Sequence, residues 1–369
     1  YRRVYKAFRY RIYPNKEQSV LINKHFGCVR YIYNFGLQTK INHYKKTGKN
    51  LSYFDLCTIL IQEKENSPWL KEVTTQSLRN SLCNLDKAYS NFFRTKKGFP
   101  KFKSKHKNND SCQFPQGVKV DFNKKRTILP KIGGVKTIFD RQFIGKIKIV
   151  TVSKNKINQY FVSILVDNEL SLPNKVKIEE NSSIGLDLGI KDFCILSDGT
   201  KISNPKYLKN NLKKIKRLQK RFSKKLKGGK NREKARLKLA KQHNYIQNVR
   251  NDFLHKLSSR LISENQTIII EDLNIIGMLK NHKLALSISD VSWSKFITYL
   301  KYKADWYGKN VITIGRFEPS SKICSNCGTI NAKLALKDRI WTCNHCNIEH
   351  DRDINAAINI KNFGLVGSG

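Results

Sequence analysis

The chain has 369 residues, with 71 Lys+Arg against 28 Asp+Glu and a formal charge of +43. That length holds two or more domains with cores of their own, and that charge repels itself unless a polyanion neutralises it, which favours nucleic acid over an anionic membrane. No apolar run approaches the roughly 20 residues of a spanning helix, and the opening Tyr-Arg-Arg-Val-Tyr-Lys-Ala-Phe-Arg lacks the apolar core of a signal peptide. The chain opens at Tyr1 without an initiator methionine, as after trimming, and its closing Gly-Ser-Gly reads as a linker-like tail. Of nine cysteines, Cys28, Cys57, Cys83, Cys112 and Cys194 are scattered among apolar neighbours. Such cysteines are small buried hydrophobes in a reducing cytosol, so a cytoplasmic protein is expected.

Phe8, Tyr10 and Ile12 alternate with Arg9 and Arg11, which predicts a strand with one buried and one cationic face. Pro14 ends it. Asn15 then caps a helix, with Gln18 in the reciprocal position. A second helix is expected around Tyr53–Glu65 and a third from Ser67-Pro68 to about Phe93. The basic loop 94–107 interleaves cations with Phe99 and Phe102, a composition suited to phosphates and stacked bases. Strands are expected at Val118–Phe122, Thr127–Leu129, Gly145–Val152 and Gln159–Val166, a compact β unit that the N-terminal strand joins. A boundary falls in the polar stretch 171–182. Ser183–Leu188 and Phe193–Ser197 are then strands, and Asp198-Gly199 turns to a third.

Residues 206–241 carry 17 Lys+Arg and one acid, Glu233. Beneath them Leu208, Leu212, Ile215, Leu218, Phe222 and Leu226 form one helical stripe. Gly228-Gly229 interrupts it, and a second stripe runs through Leu237, Ile246, Val249, Phe253, Leu257 and Leu261. A helical hairpin with a cationic face follows; a coiled coil would mix charge signs. Thr267–Glu271 reads as a strand buried on both faces. Val291–Tyr307 reads as an amphipathic helix and Asn310–Phe317 as another strand.

Cys324-x2-Cys327 and Cys343-x2-Cys346 are separated by residues 328–342, the spacing of a four-cysteine zinc ribbon. Four thiolates saturate tetrahedral Zn²⁺ and leave no position for water, so the ion is structural. His345 and His350 are substitute ligands; the four thiols are preferred.

Three acids flank this cassette. Asp187 lies in Ile-Gly-Leu-Asp-Leu-Gly-Ile (184–190), among apolar residues where an unpaired charge is costly, with Gly189 keeping the surrounding wall low. Glu271 closes Ile-Ile-Ile-Glu (268–271). Asp353 precedes Asn355-Ala-Ala-Ile-Asn-Ile, where it could also cap a helix. Three converging acids hold divalent metal, and paired metals cut phosphodiesters. Asp192 and Asp272 fall out of strand phase, Asp351 is an alternative ligand, and Arg352 could restrain either aspartate or contact phosphate.

Gly-Leu-Asp-Leu-Gly-Ile-Lys, Ile-Glu-Asp-Leu, Ser-Lys-x-Cys-Ser-x-Cys-Gly, the second Cys-x-x-Cys and Asp-Arg-Asp-Ile-Asn-Ala-Ala-x-Asn-Ile, in that order, resemble the transposon-encoded TnpB family, related to type V CRISPR effectors. Gly98-Phe-Pro-Lys-Phe-Lys-Ser-Lys105 and Trp69-Leu-Lys-Glu-Val73 extend the likeness. The resemblance implies an α+β multidomain protein: a β wedge-like, barrel-like domain (1–14 and 111–180), a helical recognition domain with the basic loop (15–110), a RuvC-type, RNase H-like nuclease domain (181–320 and 348–369) and an inserted zinc ribbon (321–347). It implies an RNA-guided DNA endonuclease that takes a transposon-derived guide RNA and cuts double-stranded DNA beside a short duplex motif. Asp187, Glu271 and Asp353 would be the catalytic, Mg²⁺-binding acids. Gln76, Lys101, Lys103 and Gln116 would touch nucleic acid. The alternatives are a miniature CRISPR effector of the same lineage and a guided DNA-binding regulator without cutting.

Overall fold

A computed structural model describes residues 3–95, 98–105, 110–316, 318–335 and 338–367. The ends of the expected basic loop around 96–97 and 106–107, the end of the expected strand at Phe317 and the last two tail residues lie outside them. The chain separates into two compact units, Tyr1–Ser171 and Leu172–Gly369.

The first unit builds a seven-stranded antiparallel sheet from β1 (Arg3–Tyr13), β2 (Asp110–Phe114), β3 (Lys119–Asp121), β4 (Arg126–Leu129), β5 (Gly133–Ile138), β6 (Lys146–Lys154) and β7 (Tyr160–Ser171), in the order β2-β6-β7-β1-β5-β4-β3. β1 lies inside the sheet, with Tyr10 opposite Val162 and Ile12 opposite Thr137. Its alternation works as expected: Tyr10 and Ile12 are buried, while Arg9 turns outward over the Phe161 ring at 4.0 Å. β2 and β3 are edges with no ladder between them among the described residues, so the sheet is open, not the expected barrel. β2 and β5 escaped the sequence reading. β5 starts on Gly133-Gly134, which carry no side-chain pattern.

Between β1 and β2 run α1 (Lys16–Thr47), α2 (Tyr53–Asn66) and α3 (Thr75–Thr95). Asn15 and Gln18 form the expected reciprocal cap, and Ser52 and Asp55 form a second. The expected third helix is two elements. Pro68 opens a 3-10 turn that ends at Glu72, and Val73 is extended before α3 begins.

The second unit centres on a five-stranded sheet of order β10-β9-β8-β11-β12, built from β8 (Ser183–Leu188), β9 (Asp192–Leu196), β10 (Lys201–Ser203), β11 (Thr267–Glu271) and β12 (Asn310–Ile314). β8, β11 and β12 run parallel; β9 and β10 return as a meander. α4 (Tyr207–Ser223) and α5 (Lys230–Glu264) form the cationic hairpin. Leu226 falls beyond the end of α4 and is 84% exposed, so it does not belong to the stripe. α6 (Ile275–Met278), α7 (Ala285–Val291) and α8 (Trp293–Trp306) follow β11; α8 is the expected Val291–Tyr307 helix, started at Trp293 by the left-handed Ser292 at φ 61°, while α6 and α7 were not expected.

β13 (Ile340–Thr342), β14 (Glu349–Asp351) and α9 (Arg352–Val366) close the chain. Ile268 and Ile270 pack under α5 and α8 with Leu186, Leu254, Phe296 and Leu300, while Ile269 faces Ile314 and Ile360 of α9. Helices on both faces explain why β11 carries no polar alternation. Among the described residues no helix is long and apolar enough to cross a membrane.

Candidate active site

Parallel pairing aligns Asp187 and Glu271. Leu186 of β8 stands opposite Ile270 of β11, so one further step sets the two acids side by side at the same end of the sheet. Asp353 arrives from α9, and a glycine governs its approach. A Cβ on Gly185 would collide with the Ala357 carbonyl and lie 2.7 Å from the Lys361 backbone nitrogen. Only glycine lets the helix rest its backbone on β8. Gly364 makes the same allowance against the side chain of Ile269. The helix start therefore lies over the strand end. Gly189 serves the turn rather than the wall of the site, since a Cβ there would stand 2.9 Å from the Asp192 carbonyl.

The electrostatics record this convergence. Asp187 is pushed up to about 7, by burial first and then by the charges of Asp353 and Glu271; Arg352 and Arg339 pull the other way. Glu271 is also raised, by burial and then by Asp272. Asp272 itself points away to Arg316, at 2.7 Å. The cap on α9 is Asp351, not Asp353: its carboxylate accepts the backbone N–H groups of Asp353 and Ile354 and the ammonium of Lys201, at 3.0, 3.2 and 2.5 Å. Burial would raise Asp351, but these donors hold it below the usual carboxylate range. Asp353 is thus released from capping and pairs with Arg339, at 2.9 and 3.2 Å.

Mutual repulsion among three acids is the state a divalent cation relieves, so the donor set fits such an ion. The carboxylates do not crowd a single ligand sphere. Among the described residues, the four cysteines are the one group whose donor atoms all lie within 4.8 Å of one another.

Those cysteines sit on two matching knuckles. Cys324 N–H donates to Thr329 and Gly328 N–H returns to Cys324; Cys343 N–H donates to Ile348 and Asn347 N–H returns to Cys343, each at 2.9 Å. Gly328 and Asn347 occupy the left-handed position in each, at φ 75° and 56°. His350 Nε2 touches Cys324 Sγ at 3.0 Å from outside the cluster, and His345 is exposed.

The knuckle is clamped to α9. Asn355 Oδ1 accepts Ser325 N–H at 2.9 Å and its Nδ2 donates to the Ile323 carbonyl at 2.7 Å; Asn359 Nδ2 donates to Ser320 and Ile323, each at 2.7 Å. Sequence reasoning missed this pair. The signal was present: two asparagines one turn apart on an apolar helix face must find partners. Arg339 gave no signal, because only the β13–β14 hairpin brings it beside Arg352 and Asp353.

The four nucleic-acid candidates fall in the first unit, in two places. Gln76 and Gln116 line one cavity of about 140 Å³ with Ser77, Phe114 and Pro130. Lys101 and Lys103 line another, of about 320 Å³, with Arg30 and Asp110. Lys101 is exposed, whereas Lys103 lies 3.8 Å over the Tyr33 ring and its backbone pairs with Asn34. Burial lowers its pKa.

The family described as "Probable transposase" (OrfB of the IS605 type) matches residues 161–282, the "Cas12f1-like, TNB domain" matches 293–360, and a "Helix-turn-helix domain" matches 4–49. That last stretch is here a strand and a long helix. A protein of Streptomyces pristinaespiralis named "Putative RNA-guided DNA endonuclease" is 37% identical, over 99% of this chain and 90% of its own. The "Putative RNA-guided DNA endonuclease InsQ" of Escherichia coli (strain K12) is 32% identical, over 97% and 92%. "TnpB-like protein L79" of Acanthamoeba polyphaga mimivirus is 26% identical, over 96% and 72%. Among solved structures, the Cas12f1 chain of a Cas12f1-sgRNA-target DNA complex shares the mixed α/β fold, with a TM-score of 0.51, 14% identity and coverage of 97% and 99%. The chain belongs to the TnpB family of these relatives.

Proposed function

We propose that this chain is an RNA-guided DNA endonuclease of the TnpB type, which binds guide RNA and cuts double-stranded target DNA next to a short duplex motif. The observation that carries the cutting is the shared end of β8, β11 and α9, where burial first, and then the charges of Asp353 and Glu271, raise Asp187. Relatives at 37% and 32% identity over nearly the whole chain support the guide. The intact acids favour this over a binding-only regulator, and the family favours it over a CRISPR effector.

In this reading residues 181–320 and 348–369 are the RuvC-type, RNase H-like domain and 321–347 the zinc ribbon. Residues 1–14 and 111–180 are the wedge-like domain, and 15–110 the helical recognition domain. Cys324, Cys327, Cys343 and Cys346 would hold Zn²⁺, closed and structural. Asp187, Glu271 and Asp353 would hold Mg²⁺, which when bound polarises the scissile phosphate and lowers the pKa of water. The chain's own part is positional. Strand register levels Asp187 with Glu271, α9 sets Asp353, and Asp187 must give up its proton near neutrality. Arg339 must yield its hold on Asp353. Gln76, Lys101, Lys103 and Gln116 would face nucleic acid, Lys103 only after leaving Tyr33. Work on DNA suits the prokaryotic cytosol or nucleoid.

The test is cleavage of matching DNA, in Mg²⁺, by protein purified with RNA co-expressed from its own locus. Asp187→Ala abolishes cutting on this reading; cutting that survives it, with contaminating nuclease excluded, overturns the assignment.

A further inference from the structure

The cationic hairpin holds a cleft that the proposed chemistry does not use. Of its 17 cations, two are spent inside the fold. Arg236 takes the segment's one acid, Glu233, at 2.6 and 2.7 Å. Arg232 closes the end of α4, donating to the Phe222 and Lys225 carbonyls at 3.2 and 2.6 Å and stacking on Phe222 at 4.3 Å.

Arg221 and Lys225 from α4 and the residues after it, with Lys234 and Lys238 from α5, surround a concave space of about 420 Å³ floored by Leu218 and Ala235. None of these four makes an ion pair among the described residues. Like charges gathered around one cavity repel, and the neighbouring acid, Glu233, is already paired with Arg236. The cleft also stands far from the acids. α4 leaves β10, whose Lys201 holds Asp351, and Arg221 lies 14 residues past the helix start at Tyr207, about 20 Å along the helix at 1.5 Å per residue. The cleft cannot touch the phosphate being cut; it can hold a strand.

We infer that this cleft grips the phosphodiester backbone of the guide RNA. The inference rests on the guide-dependent reading above. RNA is favoured over DNA because a standing, uncompensated charge cluster calls for a standing partner. A guide stays bound between targets; DNA is present only during one.

The experiment uses the full chain and labelled RNA transcribed from the gene's own locus. The variant Arg221→Gln/Lys225→Gln/Lys234→Gln/Lys238→Gln is compared with an equal-charge control, Lys45→Gln/Lys46→Gln/Lys49→Gln/Lys124→Gln. Removing four phosphate contacts should flatten the dependence of log Kd on log salt by about 3 and weaken binding at least about tenfold, with the control moving less. Lys225→Arg/Lys234→Arg/Lys238→Arg should bind like the parent. If cleft and control variants lose RNA equally, the inference fails. It also fails if RNA binding holds while the RNA-loaded protein loses affinity for target DNA. Should the glutamine variant not fold, a photo-crosslinker at Ala235 in the otherwise native chain decides: a crosslink to RNA is expected, and none overturns it. Cleavage by the parent protein is scored separately. A parent that binds RNA through the cleft and never cuts sinks the nuclease reading alone.

Discussion

The four-cysteine knuckles and the three-acid cluster are both candidate metal centres, and they are built in opposite ways. The cysteines come from two copies of one local turn, each satisfied by its own backbone bonds within a few residues. The acids come from two strands and a helix spread between positions 187 and 353, aligned by sheet register and a glycine contact. One site is closed by its own ligands; the other is left charged and open. A centre assembled locally tolerates change elsewhere. A centre assembled from afar inherits every fault in the elements that carry it.

The largest expected effect tests whether the acids act as one unit. Asp187→Ala, Glu271→Ala and the double variant should all fall to the same floor, about a thousandfold or more below the parent, because losses within one catalytic unit do not add. Multiplying losses in single-turnover cleavage would break the triad apart. Next, Cys343→Ser should remove about one zinc per chain by metal analysis and cost at least about tenfold in cutting, since the knuckle holds α9. Zinc loss with full activity would show that the two centres are independent.

Asn355→Ala is subtler. It leaves every candidate ligand in place but abandons the Ser325 N–H and the Ile323 carbonyl, so unfolding should ease by about 1–3 kcal/mol. The Mg²⁺ concentration for half-maximal cutting should rise while zinc stays bound. An unchanged Mg²⁺ requirement would reduce the asparagine to packing.

The smallest effect is a pH slope in the metal-free chain. Asp187 binds its proton more tightly folded than unfolded, so stability falls as pH rises from about 4 through about 7. Asp187→Asn removes that contribution and should be the more stable form at pH 8 by about 2 kcal/mol. That is less than the whole shift would give, because the side chain is partly in water. Adding Mg²⁺ should favour the parent again. Parallel stability curves for the two forms would mean the acids do not repel.

The sequence told most where one cause dominated. The Asn15–Gln18 cap is a local exchange of two hydrogen bonds, and it formed as expected. Thr267–Glu271 was legible because burial on both faces leaves an uninterrupted β-branched run. The four cysteines were legible because their spacing is their geometry. Failures came where two effects competed. Pro68 can open a helix, but the extended Val73 ended that turn early. The asparagine clamp hid because asparagine suits loops as well as buried partners. Asp353 looked like a cap until Asp351 proved to take both N–H groups. Arg339 reaches Asp353 through a hairpin that no periodicity announces.

Gly185 has a consequence for how such a protein could be silenced. A methyl group there would act as a wedge under α9, lifting the helix from β8 and drawing Asp353 away from its two companions. Gly185→Ala would leave all three acids, all four thiols and the cationic hairpin in the chain. The site therefore depends on an empty volume as much as on its charges, and a search that scores only the acids would count the silenced chain as intact.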